Sequence, residues 1–189
     1  EEKVRGMRNF GTKVWNIARF VHTNLAVNSE QQTVNSSRQQ TGLPFTVHRS
    51  PAPITDADTH ILTELANTTD IVTRSLEDMR FHLAAEKLYD FIWGTFAATY
   101  VEASKSQLGQ ASRPKREIPS EQRDFSQAAR NDSDTELAQN TRAILLHVLK
   151  QSVTMLHPFM PFVTEAIWLQ LPKAKGDSHL LISQSWPKG

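Results

Sequence analysis

The chain has 189 residues, of which 39% are hydrophobic and 22% charged, the size and composition of one ordinary globular domain rather than a disordered tail or a membrane protein. Its net charge of +1 is not typical of a protein that coats nucleic acid non-specifically, and the absence of cysteine excludes disulfide scaffolds, cysteine zinc sites and thiol nucleophiles. No apolar run approaches the roughly 18 residues of a membrane span and no secretory signal opens the sequence, so we expect a soluble cytoplasmic protein.

The first predicted element is an amphipathic helix that begins near Val4. Its apolar residues recur in steps of three and four, as one buried helical face requires. They are Met7, Phe10, Val14, Ile17, Ala18, Val21 and Leu25. On a 100° helical wheel a second strip lies about 120° from this face. It consists of Arg5, Asn9, Lys13, Asn16 and Phe20.

This second strip combines side chains that suit unpaired RNA. An exposed aromatic ring offers a stacking platform, a lysine offers a phosphate contact, and asparagines offer amide hydrogen bonds. The alternative is that Phe20 packs beneath the following polar stretch, residues 31–41, while Asn16 caps a local group. The pattern alone leaves both interpretations open.

Three more long helices are predicted. Thr55 and Asp58 form a capping pattern for the second helix. Its core stripe is Ile61, Leu65, Thr68, Val72, Leu76 and Met79, followed by a tight corner at 78–80. The third helix carries Phe81, Ala85, Leu88, Ile92, Phe96 and Thr99 on one stripe, and Tyr89, Trp93 and Tyr100 on another. Since Trp93 lies on this central helix, we expect its truncation to damage the fold.

The fourth helix follows a polar loop at 109–134. Its stripe is Leu137, Thr141, Ile144, Leu145, Val148, Ser152, Met155 and Leu156. Pro158 and Pro161 then break the chain, a short helix spans 162–171, and residues 180–182 and 186–187 form a docked extended tail. We therefore predict an all-α fold, an antiparallel helical bundle with long polar loops. Residues 1–172 are the helical domain in this interpretation, and residues 173–189 are the tail of the same domain.

Charge is unevenly distributed along the chain. Residues 1–25 carry five basic and two acidic side chains, and residues 103–123 carry the same numbers. Residues 54–102 between them carry three basic and nine acidic side chains. If a polyanion binds, its contacts should come from the two basic regions, although both can equally be solvated faces.

Catalytic motifs are scarce in this sequence. The seven histidines are scattered, and GxGxxG, GxxxxGK[ST] and GxSxG do not occur. Glu86 and Asp90 share a helix face at i, i+4 spacing, which favours a solvated acidic face over an acid–base or metal pair. We expect this chain to catalyse nothing by itself and to hold no metal.

Four segments carry a family resemblance. They are RNFGTKVWNIARF at 8–20, DADTHILTEL at 56–65, RFHLAAEKLYDFIW at 80–93 with YVEASK at 100–105, and LHPFMPFVTEAIW at 156–168. In this order they resemble the anticodon-binding domain of valyl-tRNA synthetases, a class I family. The last segment is shared among several class I synthetases of hydrophobic amino acids, so the valyl assignment depends mainly on residues 8–20. At 58–60 the family's Asp-Arg-Trp is replaced by Asp-Thr-His.

The resemblance implies a set of anticodon-contacting residues. They are Lys13, Asn16, Arg19 and Phe20 on the first helix, Val101 and Glu102 near the end of the third, and Arg113 as a further basic contact. It implies a valine tRNA as partner, with adenine in the middle of the anticodon and cytosine last. The wheel selects Lys13, Asn16 and Phe20 independently.

The resemblance also implies a larger enzyme, valine–tRNA ligase. The HIGH and KMSKS signatures of the catalytic domain do not occur here, so ATP and magnesium would act in catalytic and editing parts of the protein outside this sequence. No cofactor is expected in this piece, which should be monomeric and make no membrane contact. Two alternatives stay open: the same domain from an isoleucyl, leucyl or methionyl enzyme, and a free-standing helical protein-interaction module.

Overall fold

The computed structural model describes residues 2–32, 52–111 and 125–187, and every element in these ranges is helical. The predicted all-α class is therefore confirmed. The α-helices are α1 (Glu2–Gln32), α2 (Asp56–Glu77), α3 (Phe81–Asp90), α4 (Val101–Ala111), α5 (Phe125–Leu156) and α6 (Pro161–Gln170). A π-helical segment (Phe91–Tyr100) joins α3 directly to α4, and one 3₁₀ turn (Leu181–Ser183) lies in the tail.

Three helices extend into stretches that the sequence predicts as loops. α1 continues to Gln32, past the expected start of the polar stretch at residue 31. α4 ends at Ala111 and α5 begins at Phe125, both inside the predicted 109–134 loop. Gln, Asn and Ser are poor core residues, but this does not prevent them from continuing a helix whose apolar face is already buried. The remainder of both predicted loops lies outside the described residues.

The predicted N-terminal cap of α2 is confirmed as a reciprocal capping box. Thr55 Oγ1 accepts from the Asp58 backbone N–H at 3.2 Å, and Asp58 Oδ2 accepts from the Thr55 N–H at 3.0 Å. Asp58 is fully buried, and its Oδ1 accepts from the Tyr100 hydroxyl at 2.7 Å. Burial, together with this bond to a carboxylate, raises the pKa of Tyr100 far above its ordinary value. The cap therefore also fixes the π segment to the start of α2.

The predicted corner after α2 is confirmed. Three residues predicted to lie in the core, in this corner or on the third helix, are exposed instead. Met79 adopts a left-handed φ of 59° in the corner and is 74% exposed. Phe81 begins α3 on its solvent side and is 53% exposed. Thr99 is exposed because the π segment changes the phase of the helix before it.

α3, the π segment and α4 form one continuous helical rod, which we call the third helix. The π segment keeps one face of this rod buried. Its buried side chains occur in adjacent pairs, spaced by five and then four residues. These pairs are Phe91 and Ile92, Phe96 and Ala97, and Tyr100 and Val101. The wider i→i+5 turn of a π-helix matches this spacing better than the 3.6-residue α turn. The irregular helix is therefore what allows all three pairs to face the core.

Hydrogen bonds between helices define one end of the bundle, which we call the upper end. Arg142 of α5 donates through Nε to the Asn24 carbonyl of α1 at 2.9 Å. Its neighbour Thr141 donates to Gln107 Oε1 of α4 at 2.7 Å, and Gln107 Nε2 lies 3.4 Å from the cap residue Thr55. The upper end therefore gathers late α1, the start of α2, late α4 and the middle of α5.

The C-terminal tail packs against the helices rather than extending from them. Leu181 is 2% exposed, and the Trp186 indole N–H donates to Thr73 Oγ1 of α2 at 2.8 Å. The tail was predicted to be extended at 180–182, and this is wrong because residues Leu181–Ser183 form a 3₁₀ turn. Glu165 of α6 favours that turn, because its Oε1 accepts the Leu181 N–H at 3.0 Å.

Candidate nucleic-acid interface

Four of the seven predicted site residues lie on α1. Asn16 and Arg19 are exposed, whereas Lys13 and Phe20 are half-buried. Lys13, Asn16 and Phe20 follow steps of three and four, so they share one helical face over about 10 Å of axis. We call this set the α1 strip. It presents an ammonium, an amide and an aromatic ring in a line.

Phe20 is intermediate between the two sequence-based interpretations. It packs against the hydrophobic core, yet part of its surface stays open to solvent. Its carbonyl accepts from Asn24 Nδ2 at 2.8 Å, and the Asn24 carbonyl accepts from buried Arg142. Burial lowers the pKa of that guanidinium. The backbone that carries Phe20 is thus anchored one turn from the upper end.

Val101 and Glu102 begin α4 and face different environments. Val101 is 7% exposed and belongs to the core. Glu102 is exposed, and its carboxylate pairs with Lys105 Nζ at 2.6 Å. Exposed pairs of this kind contribute about 0–1 kcal/mol, so Glu102 can exchange this partner for another hydrogen-bond donor at little cost.

Glu102 lies at about the same height in the bundle as Phe20. Asn24 and Gln107 bind the adjacent residues Arg142 and Thr141 of α5, which places them at one level. Phe20 precedes Asn24 by one helical turn, and Glu102 lies a little more than one turn before Gln107. The structure therefore brings Glu102 and the end of the α1 strip to the same end of the bundle.

Arg113 lies outside the described residues. It follows α4 by two positions in the sequence, and α4 is the helix that begins with Val101 and Glu102. Its anticodon contact therefore stays a prediction.

The sequence analysis missed an aromatic ladder beneath Lys13. The Phe10 and Tyr89 rings have centroids 4.9 Å apart, and Tyr89 stacks on Trp93 at 5.7 Å with an interplanar angle of 11°. Lys13 Nζ lies 5.0 Å from the centroid of the Trp93 ring. Trp93 is half-buried and packs against the core, and it also contacts a candidate site residue, so the effect of its truncation on the fold stays a prediction. The i, i+4 spacing of Tyr89 and Trp93 was the available signal.

A separate cavity of about 370 Å³ lies between α5 and the tail, away from the α1 strip. Lys150 and Asp177 form a largely buried ion pair at its wall. Lys173 Nζ lies 3.8 Å from the centroid of the Trp168 ring and donates to the Trp168 carbonyl at 2.5 Å. Burial and then the positive charge of Lys150 lower the pKa of Lys173 to about 8. The Lys150–Asp177 pair links α5 to the tail.

Side chains that could ligate a metal are dispersed in the described part of the chain. Within 2–32, 52–111 and 125–187, no three His, Asp or Glu side chains come together as metal ligands. The sequence also has no phosphate-binding loop, so the ATP and magnesium implied by the resemblance do not fit the residues present here. Over the same ranges, no helix has the length and apolarity that crossing a membrane requires.

The α1 strip combines a cation, an amide and an aromatic ring, which are groups that proteins use to contact unpaired nucleic acid. Residues 58–189 match the family model for the anticodon-binding domain of tRNA ligases, and the chain belongs to this family.

Valine–tRNA ligases of three bacteria are similar to the chain. Those of Xylella fastidiosa (strain M23), Staphylococcus saprophyticus and Carboxydothermus hydrogenoformans are each 33% identical to it, over 174, 187 and 188 residues respectively. The alignments cover 92%, 99% and 100% of this chain and 15%, 17% and 17% of the relatives. The chain therefore spans about a sixth of the length of these curated relatives. The resemblance to valyl-tRNA synthetases found in the sequence is confirmed.

Proposed function

We propose that this chain is the part of a valine–tRNA ligase that recognises the anticodon of valine tRNA. The observation that carries the proposal is the α1 strip, which presents Lys13, Asn16 and Phe20 on one accessible face of an anticodon-binding domain. The names of the similar proteins support valine as the amino acid. The competing assignment is the same domain from a sister class I synthetase.

Each site residue whose side chain reaches the surface has a chemical role in this proposal. The open surface of Phe20 stacks on an unpaired anticodon base, and the Asn16 amide reads a base edge through hydrogen bonds. Lys13 and Arg19 contact phosphates of the RNA backbone. Their long cationic side chains can reach a phosphate whatever the sequence of the neighbouring bases. Glu102 leaves Lys105 and accepts a hydrogen bond from the amino group of adenine or cytosine.

The two remaining residues have narrower roles. The Val101 side chain packs in the core, so in this proposal it positions Glu102 and offers RNA its backbone rather than its side chain. Arg113 adds a phosphate contact after α4. Neither residue carries the proposal.

The rest of the enzyme is also part of the proposal. A catalytic domain in the same polypeptide joins valine to its tRNA with ATP and magnesium, an editing domain accompanies it, and this domain supplies the anticodon contact. Such an enzyme acts in the cytoplasm, where translation occurs, and we propose that it is monomeric.

Binding of anticodon stem-loops to this chain tests the proposal. Fluorescence anisotropy should show tighter binding to a valine stem-loop, with adenine in the middle and cytosine last, than to isoleucine, leucine or methionine stem-loops. Preference for one of those three would assign the domain to a sister enzyme. Equal binding to all four would contradict the proposed recognition of the valine anticodon.

The variant Glu102→Gln tests the proposed base-reading carboxylate. The amide keeps the shape of the side chain but replaces one acceptor with a donor, so discrimination between anticodons should fall more than the affinity itself. Glu86→Gln is the matched control, since Glu86 is another exposed glutamate, on α3. If Glu102→Gln discriminates as well as the wild type, Glu102 does not read a base.

A further inference from the structure

The aromatic ladder of Phe10, Tyr89 and Trp93 ends at a residue of the α1 strip. Lys13 Nζ lies 5.0 Å from the centroid of the Trp93 ring, within the distance of a cation–π contact. Tyr89 stacks on Trp93, and Phe10 packs on Tyr89 from α1. The indole under Lys13 is thus held by neighbours on two helices.

We propose that Trp93 is a positioning residue for RNA binding: its indole holds the Lys13 ammonium on the α1 strip, where the ammonium meets an RNA phosphate. This inference rests on the proposed function. Trp93 itself touches no RNA in this arrangement and acts through Lys13.

An aromatic ring suits this task better than a carboxylate. Among residues 2–32, 52–111 and 125–187 no carboxylate forms an ion pair with Lys13, so no carboxylate in these ranges neutralises its positive charge. A flexible lysine loses side-chain entropy when a phosphate immobilises it. A ring that already holds the ammonium reduces this loss and leaves the charge intact.

The π segment explains why Trp93 is available for this contact. Phe91, Ile92 and Phe96 of the segment face the core, whereas Trp93 between them is half-buried. Phe10 of α1 contacts Tyr89, and Lys13 of α1 contacts Trp93. Lys13 follows Phe10 by three residues, and Trp93 follows Tyr89 by four. α1 and the third helix therefore advance together at this contact, and the pairing continues toward the upper end, where Phe20 and Glu102 lie.

A double-mutant cycle tests the inference on this 189-residue chain, with a valine anticodon stem-loop as ligand. Trp93→Leu should weaken binding about two- to fivefold, the value of an exposed cation–π contact. Lys13→Met should weaken binding and reduce the salt dependence by about one phosphate contact. Because Trp93 acts through Lys13, Trp93→Leu should cause no further loss in the Lys13→Met background. Trp93→Phe, which keeps a ring, should restore part of the affinity.

Loss of packing is controlled with Trp186→Leu, which removes another half-buried indole, on the tail, and should leave RNA affinity unchanged. If Trp93→Leu weakens binding equally with and without Lys13, it acts through the fold and the inference is wrong. NMR gives a readout independent of RNA: ring current should shift the Lys13 Cε protons upfield, and Trp93→Leu should abolish that shift. An unshifted wild-type signal would also overturn the inference, whereas a wild type without anticodon preference would overturn the proposed function.

Discussion

Replacing Phe20 with leucine should separate RNA stacking from core packing. The ring is half-buried, so truncation to alanine removes both functions at once, whereas leucine keeps most of the apolar volume and removes only the aromatic face. Base–aromatic stacking contributes about 1–3 kcal/mol per base. Phe20→Leu should therefore weaken binding of a valine anticodon stem-loop by about 5- to 150-fold.

The stability cost of the same substitutions follows from the burial of Phe20. A fully buried phenylalanine costs about 3–5 kcal/mol on truncation to alanine, so a half-buried one should cost about 1.5–2.5 kcal/mol. For a chain of this size that lowers Tm by about 3–10 °C. Phe20→Leu should cost less than about 1.5 kcal/mol, because its volume change is smaller.

Thermal melts and stem-loop titrations of both variants make the comparison. Phe162→Leu is the control, because Phe162 at the start of α6 is 91% exposed and its replacement should change neither Tm nor affinity. If Phe20→Leu binds the stem-loop within twofold of the wild type, the ring does not stack on a base. Lys13, Asn16 and Arg19 would then remain as the α1 candidates.

Three further outcomes follow from charge and burial. Three to five phosphate contacts should make stem-loop binding micromolar or weaker at physiological salt, and about 20- to 500-fold weaker at 200 mM than at 50 mM salt; salt-independent binding would contradict this. Tyr100→Phe should lower the urea-derived unfolding free energy by about 1.5–3 kcal/mol, because buried Asp58 loses a donor. The pKa of Tyr100 is raised in the folded state, so above pH 10.0 unfolding releases the Tyr100 proton and the stability of the wild type should fall as the pH rises. Tyr100→Phe should lack this fall in stability. Identical stability–pH curves for the two proteins above pH 10.0 would contradict this role of Tyr100. Lys173 should titrate near pH 8 by NMR, and Lys150→Met should raise the pKa of Lys173 because a neighbouring positive charge is removed. Since folding lowers the pKa of Lys173, its ionisation should make the folded state more stable as the pH rises from about 8 to 10.5.

Local sequence rules were sufficient where a few neighbouring residues determine the structure. Thr55 and Asp58 predict the start of α2 because a capping box satisfies two backbone donors within four residues. The strip of Lys13, Asn16 and Phe20 was predictable for the same reason, since it depends only on the repeat of one regular helix.

Burial that depends on a second helix was not predictable in this way. A helical wheel assumes 3.6 residues per turn, so it cannot show that residues 91–100 form a π-helix whose core face repeats every four to five residues. The exposure of Thr99 follows from that change of phase. Phe20 illustrates the same limit, because its partial burial depends on what packs beside α1 and not on its own place in the helix.

The arrangement of the site follows from this division between local and long-range information. All of α2 and α3 separates the α1 strip from Glu102 in the sequence, and the contacts of Arg142 and Thr141 with α1 and α4 bring Phe20 and Glu102 toward a common end. Trp93 contacts Lys13 because the third helix runs alongside α1, which neither helix encodes alone. The proposed anticodon contacts therefore require the bundle to position residues that α1 and α4 each supply in regular local patterns.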